Sequence, residues 1–454
     1  MIVNKKKQPY FLIIGLGASG VSMAKFLHSQ GKSVIVTDID DSRSETAKEL
    51  TALGIKTEIG FHAQETFNNA FALVPSPGIP LSSQFIQTAV SQGVTITGEL
   101  DIFALYNTLP VIAITGTNGK TTTTTLIGDM LKSCGMNPFV GGNIGTPLAD
   151  NLMEKGKTDI IVAEISSFQL DISKHFRPDV GLLLNISEDH LDRYENYKAY
   201  ENSKWSIFKN QTASDKAVIH KSIGGFDKIK QNIRSQIFTF SSEKELSVDC
   251  SARVYKNRIE IATKNLHQTI PTDQLKVLSG THNRENIAAA VLACLAIGKK
   301  IKPILKGLSS FKNLPHRMEF VKKINEVSFF NDSKATNTDA VIRALECFEQ
   351  KIILILGGRE KATDFSLLIN SVEKKVKTII AVGESKENVK NTFKNTCEVL
   401  KVQTMKDAVL KAFNCAIGND SILLSPGCAS FDMYDSYAQR GNDFKACVKI
   451  IGTE

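Results

Sequence analysis

The string GTNGKT, Gly116 to Thr121, follows the apolar run Val111 to Ile114 and opens a helix-favouring stretch from about Lys120 to Cys134. A buried strand that turns through a glycine-bearing loop into a helix is the repeating unit of a parallel α/β sheet. It leaves little room for all-β or bundle architectures. Gly135 supplies the stop for that helix. Backbone N–H groups of such a loop can wrap phosphate oxygens, and the helix N-terminus favours negative charge. On this reading Gly116, Thr117, Asn118, Gly119 and Thr122 line the phosphates. Lys120 reaches the β- and γ-phosphates, and Thr121 binds magnesium. The usual eight-residue phosphate loop has glycine where Ile114 stands, so this is a shortened form. The bland alternative is a Gly/Asn turn before a threonine-rich helix.

A second strand–turn–helix opening lies upstream. Tyr10 to Ile14 runs into GLGASG (Gly15 to Gly20), a helix to Gly31 and a strand Ser33 to Thr37 closed by Asp38. The spacing fits a dinucleotide fingerprint, with Asp38 about where a ribose-binding acid would sit. It fits equally a tight packing turn, or the diphosphate of another nucleotide. Phe71 to Val74 followed by PSPGIP reads as a further buried strand and rigid turn. Strands are expected at Ile160 to Ala163, Val180 to Leu184 and Ala217 to Ile219, a β-rich stretch over 221–280, and helices at Asn283 to Ile297 and near Lys302 to Ser309. A third alternating unit carries strands Lys351 to Leu356, Thr378 to Val382 and Ser421 to Leu424.

The fold class is therefore α/β in three domains. These are a Rossmann-like N-terminal domain (1–109), a central P-loop-type ATPase domain with a mostly parallel sheet (110–313) and a C-terminal Rossmann-like domain (314–454). The length of 454 residues agrees with about three domains. With 42% hydrophobic and 22% charged residues the chain can bury sizeable cores. The net charge of +8 mildly favours polyanionic small substrates. No Lys/Arg tract interleaves with aromatics, so nucleic acid is not implied. No run approaches about 18 apolar residues, so membrane insertion is not expected. The N-terminal MIVNKKKQPY does not read as a signal peptide. The eight cysteines lack CxxC pairs and metal-ligand spacing, which points to reduced core thiols and a cytoplasmic location.

Polar residues at the C-terminal ends of strands converge on the ligand crevice of an open α/β sheet. Glu164 ends the strand IIVAE, and His190 follows VGLLLN in NISEDHLDRY. Lys204 lies in the helix-like YKAYENSKWSIF. Magnesium prefers a few carboxylates with phosphates and water, so these are candidate partners of the loop. Singly, each could be a capping acid, a loop histidine or a solvated lysine. LPHR (Leu314 to Arg317), NDSKATN (Asn331 to Asn337), GGREKATDF (Gly357 to Phe365) and SPGCASFD (Ser425 to Asp432) are polar, small-residue strings. The last three follow apolar strands; alone they could be ordinary βα turns.

Together these strings resemble the Mur ligase family of peptidoglycan synthesis over essentially the whole length. GTNGKT is shared with folylpolyglutamate synthases. The segment Glu164 to Leu170, LPHR, NDSKATN and SPGCASFD look like the D-glutamate-adding members. The resemblance implies a cytoplasmic ligase, expected to be monomeric. It would use ATP and Mg2+ to activate the carboxylate of UDP-N-acetylmuramoyl-L-alanine as an acyl phosphate and couple it to D-glutamate. By the same resemblance Lys120, Glu164, His190 and Lys204 are catalytic. Thr121, Glu164, His190 and a carbamylated Lys204 would hold metal, and Asn283, Asn286, Arg317 and Asp332 would contact ATP. Gly17, Ala18, Ser19, Asp38, Ser76, Gly78 and Asn143 would meet the UDP-sugar, which displaces the NAD reading. Lys334, Thr336, Lys361, Ser430, Phe431 and Tyr437 would meet D-glutamate. Leucine is more familiar at Phe431 and phenylalanine at Tyr437; both positions stay bulky. GGREKATDF is more crowded than the usual string but keeps Lys-x-x-Asp-Phe. Three rivals remain open from the residues alone: a folylpolyglutamate-type ligase, an NAD oxidoreductase and a nucleotide-binding regulatory or motor protein.

Overall fold

A computed structural model describes residues 9–154, 156–189, 193–243, 250–272, 280–359 and 363–451. Three sheets carry the chain. By contacts it divides into two units: Met1–Ile186, Arg193–Pro271 and Glu285–Ser310 form the first, and Ser187–Asp192, Thr272–Arg284 and Phe311–Glu454 the second.

The first unit holds two sheets. One is wholly parallel, ordered Lys56–Ile59, Ser33–Asp38, Tyr10–Ile14, Ala72–Pro75, Thr95–Ile96. Side chains of a strand alternate between faces, and a parallel sheet covered on both sides is apolar on both. Ile13, Val34, Val36 and Val74 therefore enter one core cluster, while Leu12, Ile14, Ile35 and Leu73 enter the other. The helix Ala18–Ser29 starts directly after the GLGASG turn.

The second sheet has nine strands, in the order Leu266–Pro271, Arg258–Thr263, Ser251–Val254, Gln236–Ser241, Lys216–His220, Val180–Leu183, Val111–Thr115, Ile160–Glu164, Pro138–Gly142. The two pairings at the Leu266–Pro271 edge are antiparallel and the others parallel. Val111–Thr115 is the first of these strands in the chain, yet it lies inside the sheet, flanked by Ile160–Glu164 and Val180–Leu183. Successive strands depart to opposite sides of it, which opens a crevice at its C-terminal end. GTNGKT occupies that end and leads into the helix Lys120–Ser133.

The second unit is built on a six-stranded sheet, ordered Glu319–Ile324, Val327–Asn331, Ser421–Leu424, Ile352–Leu356, Val376–Ala381, Glu398–Lys401. All pairings are parallel except the opening hairpin. Leu354, Leu356, Ile379 and Leu423 face one core, and Ile353, Ile355, Ile380, Ile422 and Leu424 the other. The last strand in sequence inserts between Val327–Asn331 and Ile352–Leu356, so the loops after these three strands are neighbours at one edge. The apolar strand expected before NDSKATN is Val327–Asn331; its hairpin partner Glu319–Ile324 and the outer strand Glu398–Lys401 were not among the strands expected from sequence. None of the eight cysteines forms a disulfide with another. Among the described residues no helix is long and apolar enough to cross a membrane.

Candidate active site

In the first unit the phosphate loop is held from several sides. The Thr117 amide donates to the Asn185 carbonyl at 3.0 Å. The Asn185 side chain brackets Asn118, accepting from its N–H and donating to its C=O, both at 2.9 Å. The Thr117 hydroxyl lies 3.1 Å from the Tyr200 hydroxyl. Gly119 sits at φ +86°, and a Cβ there would lie 2.3 Å from Asn286 Oδ1. Only glycine lets the loop approach the helix Thr281–Ala296 this closely. Asn283 and Asn286, three residues apart, share a face of that helix.

Two lysines converge on one oxygen. Lys120 Nζ donates to the carbonyls of Gly116 and Thr117, each at 2.8 Å, and Lys204 Nζ donates to the same Gly116 carbonyl at 3.0 Å. Lys204 is 2% exposed, and its ammonium lies 4.6 Å from the Tyr200 ring centroid. Two cations brought together at a loop of N–H groups form a strong demand for negative charge.

Glu164 is also 2% exposed. Its Oε2 accepts from Thr121 Oγ1 at 2.8 Å and its Oε1 from Asn143 Nδ2 at 3.1 Å. Asn143 is placed by a glycine turn: Gly142 has φ +105°, and a Cβ there would meet the Glu164 carbonyl at 2.4 Å. A hydroxyl and a carboxylate are the hard oxygen donors that magnesium takes. Among the described residues no three His, Cys, Asp or Glu side chains gather into a closed metal cage. Thr121 Oγ1 and Glu164 offer two such donors, fewer than magnesium takes, so phosphate and water would complete the set. His190 lies outside the described residues.

At the end of the five-stranded sheet, Asp38 accepts from the Leu16 amide at 2.6 Å and the Asp40 amide at 2.9 Å. Ser76 Oγ donates to the Gly15 carbonyl at 3.3 Å. Gly17 and Ala18 are exposed at the helix start, with Ser19 half-buried. Arg193, which sequence reasoning did not single out, donates to the carbonyls of Gly78 and Ile79 at 3.0 and 3.2 Å. Its guanidinium lies 4.2 Å from the Phe168 ring centroid. It fixes the PSPGIP turn.

In the second unit the loops after two of the three neighbouring strands, Val327–Asn331 and Ser421–Leu424, are knitted by a buried cation. Arg440, 3% exposed, donates to Ser333 Oγ and to the carbonyls of Ser333, Cys428 and Ala429, at 2.9–3.2 Å. Burial lowers its pKa to about 10. Among the described residues no carboxylate pairs with it. Arg440 thus brings the NDSKATN and SPGCASFD loops together, a role that no local pattern around it signals. Lys334 Nζ lies 3.8 Å from the Tyr437 ring centroid, and Ser333 Oγ donates to the Tyr437 carbonyl at 2.8 Å. Ser430 is buried beside Ala429, whereas Thr336 is exposed and Phe431 is 62% exposed. Lys361 lies outside the described residues.

The LPHR turn and the residue after it hold two non-glycine residues in left-handed conformations, His316 at φ 63° and Met318 at φ 44°. Such residues cost roughly 1–3 kcal/mol each and persist where surrounding bonds impose them. Here His316 Nδ1 lies 2.9 Å from Asn331 Nδ2, and Met318 N donates to Asp332 Oδ1 at 3.2 Å. Arg317 sits between them. Asp332 also accepts from Ser425 Oγ at 3.0 Å. Burial pushes Asp332 up to about 7, against the lowering effect of these hydrogen bonds and of Arg317.

An unfolded aspartate titrates near about 3.9. The unfolded chain therefore releases this proton first as pH rises, and the stability tied to the neutral carboxyl is lost between about pH 4 and 7. Asp332→Asn is expected to gain melting temperature relative to the parent on going from about pH 5 to pH 8. Thermal unfolding across that range checks it; a pH-independent difference would reject the raised pKa.

Comparison with known proteins adds a separate line of observation. Residues 10–98 match the family model "Mur ligase MurD-like, N-terminal domain", 114–294 the "Mur ligase middle domain" and 316–428 the "Mur ligase, glutamate ligase domain". The UDP-N-acetylmuramoylalanine–D-glutamate ligase of Desulfosudis oleivorans is 41% identical over 443 residues, covering 97% of this chain and 96% of that protein. The enzyme of the same name from Geotalea daltonii is 39% identical over 445 residues, with 97% of each chain covered. Among solved structures, a pseudomurein peptide ligase type C from Methanothermus fervidus superposes with a TM-score of 0.62 at 18% identity, covering 98% of this chain and all of that one (100%). The UDP-N-acetylmuramate–alanine ligase of Thermotoga maritima gives 0.61 at 18% identity, covering 97% and 99%. At that identity the structural likeness speaks for the fold alone.

Proposed function

Since the chain belongs to the Mur ligase family, we propose a residue-level account of how it joins D-glutamate to UDP-N-acetylmuramoyl-L-alanine at the expense of ATP. The protein is an ATP-dependent ligase that forms a C–N bond in peptidoglycan synthesis. The observation that carries the account is the meeting of Lys120, Lys204, Thr121 and Glu164 around one glycine-bearing loop at a sheet switch point.

The loop amides and Lys120 bind the triphosphate and follow its charge toward the γ-phosphate. The alanyl carboxylate attacks that phosphorus and ADP leaves. Phosphoryl transfer needs positioning and charge stabilisation more than covalent help. The amine of D-glutamate then attacks the acyl phosphate, and the tetrahedral intermediate collapses to amide and phosphate. Magnesium, held by Thr121, Glu164 and His190 with a carbamylated Lys204, would neutralise phosphate charge. Asn283, Asn286, Arg317 and Asp332 contact ATP. The Gly17–Ser19 turn, Asp38, Ser76, Gly78 and Asn143 bind the UDP-sugar. Lys334, Thr336, Lys361, Ser430, Phe431 and Tyr437 bind D-glutamate, whose two carboxylates call for cations and hydrogen-bond donors. Domain boundaries near 109 and 313, a monomeric state and a cytoplasmic location complete the proposal.

The test is phosphate release with ATP and UDP-N-acetylmuramoyl-L-alanine, adding D-glutamate, L-glutamate, L-lysine or nothing. Release is expected to depend on D-glutamate, with the other amino acids at least about tenfold poorer in kcat/KM, because unmatched buried donors cost roughly 1–3 kcal/mol each. Preference for L-lysine or L-glutamate would sink the assignment.

A further inference from the structure

The turn that carries Glu164 is braced by a residue outside every role assigned above. The strand Ile160–Glu164 passes through Ile165 into the short helix Ser167–Ile172. Ser166 caps that helix in a reciprocal box. The Gln169 amide donates to Ser166 Oγ at 3.3 Å, and Gln169 Oε1 accepts from the Ser166 amide at 2.9 Å and its hydroxyl at 3.0 Å. A glutamine amide can be turned by a half rotation, which would set its NH2 against the Ser166 N–H. One contact selects the working orientation from the other side: Gln169 Nε2 donates to Glu99 Oε2 at 3.1 Å.

Glu99 opens the helix Glu99–Tyr106 that leads from the five-stranded sheet toward Val111. It is 6% exposed, and its Oε1 makes no hydrogen bond of good geometry, the Leu148 backbone N–H acting on the carboxyl only as a weaker, looser contact. A buried carboxyl with an unsatisfied oxygen is costly to keep unless something depends on it. Two residues on, Asp101 holds the far end of the same short helix, accepting from Ser173 Oγ and from the amides of Lys174, His175 and Phe176 at 2.7–3.2 Å. The first turn of one helix therefore grips both ends of another. The gripped helix follows directly on the candidate metal ligand.

We propose that Glu99 is a positioning residue for the magnesium site: by fixing the Gln169 amide it fixes the Ser166 cap and, through it, the Glu164 carboxylate. The inference rests on Glu164 being a metal ligand. Burial, with Asp150 adding to it, raises Glu99 to about 7. Its Oε2 accepts from Gln169 in either state when the proton resides on Oε1, so the brace needs an acceptor at that place rather than a charge.

Partners of metal ligands typically change metal affinity by about 10–100-fold when removed; one step further out, Glu99→Ala is expected to raise the half-saturating magnesium concentration about three- to tenfold. The half-saturating D-glutamate concentration stays within about twofold. Magnesium affinity is read independently of turnover, from the magnesium dependence of the melting temperature in the presence of ADP. Amide hydrogen exchange over 165–172 is expected to accelerate in the same variant. Glu99→Gln, which keeps an acceptor in place, is expected to restore parental magnesium affinity. Should Glu99→Ala fail to fold, Glu99→Asp withdraws the acceptor with less lost volume and is expected to show the same magnesium shift. Unshifted magnesium affinity, an equal rise for D-glutamate, or Glu99→Gln as impaired as Glu99→Ala would overturn the proposal. Glu164→Gln run alongside separates the two levels: if it too leaves magnesium affinity unchanged, the metal-ligand reading fails, and if it shifts affinity while Glu99→Ala does not, only the brace fails.

Discussion

Lys120→Ala is expected to lower turnover by at least about a hundredfold, the scale of losing one preorganised electrostatic donor. Lys120 Nζ rests on the Gly116 and Thr117 carbonyls at 2.8 Å each, on the loop that cradles phosphate. That position lets it stabilise the negative charge that gathers on the β,γ-bridging oxygen as its bond to the γ-phosphorus breaks. The binding of ATP itself should suffer less, because the loop amides, the helix N-terminus and the metal also hold the triphosphate. Single-turnover acyl-phosphate formation at saturating ATP isolates the effect. Near-parental turnover would remove Lys120, and the phosphate-loop assignment with it, from the mechanism.

Lys204→Ala is expected to be nearly inactive and partly restored by small carboxylates such as acetate. An ammonium at this place repels magnesium and shares the Gly116 carbonyl with the Lys120 ammonium. Carbamylation by carbon dioxide consumes the neutral amine, changes the charge from +1 to −1 and supplies two oxygens of the kind magnesium prefers. The reaction takes the neutral amine and releases a proton, and the side chain it would modify is 2% exposed. A carboxylate diffusing into the space left by alanine would replace some of those oxygens. Inactivity that no carboxylate relieves argues for a plain structural lysine, and full activity without the side chain ends the idea.

The parts legible in the sequence were those whose signal is local. Val111 to Ile114 with GTNGKT, and Tyr10 to Ile14 with GLGASG, are contiguous patterns of apolar strand, glycine turn and helix; both folded as read. Thr121 and Glu164, each read separately as a candidate at the crevice, lie in direct contact at 2.8 Å. The strand Glu319–Ile324 escaped because a register shift between Phe320 and Lys322 breaks its alternation. Arg440, Arg193 and Glu99 escaped for a different reason. Their partners Ser333, Gly78 and Gln169 lie 107, 115 and 70 positions away. No spacing rule reaches across such separations, and a lone arginine or glutamate on a helix otherwise reads as a solvated surface charge. His190, named from its place after VGLLLN, and Lys361, named from the resemblance, fall outside the described residues and stand as proposals.

The interior place of Val111–Thr115 in the nine-stranded sheet also bears on how the chain is made. The strand is fully buried, yet its two neighbours begin only at Ile160 and Val180. At roughly 5–20 residues per second, a ribosome reaches those partners several seconds after completing the strand. During that interval an apolar ribbon with both edges unpaired must wait. Parallel pairing over such distances is intrinsically slow even in a finished chain. Newborn molecules of this protein are therefore expected to dwell in a sticky, half-closed state and to lean on chaperones, and refolding yield from denaturant should fall steeply as protein concentration rises.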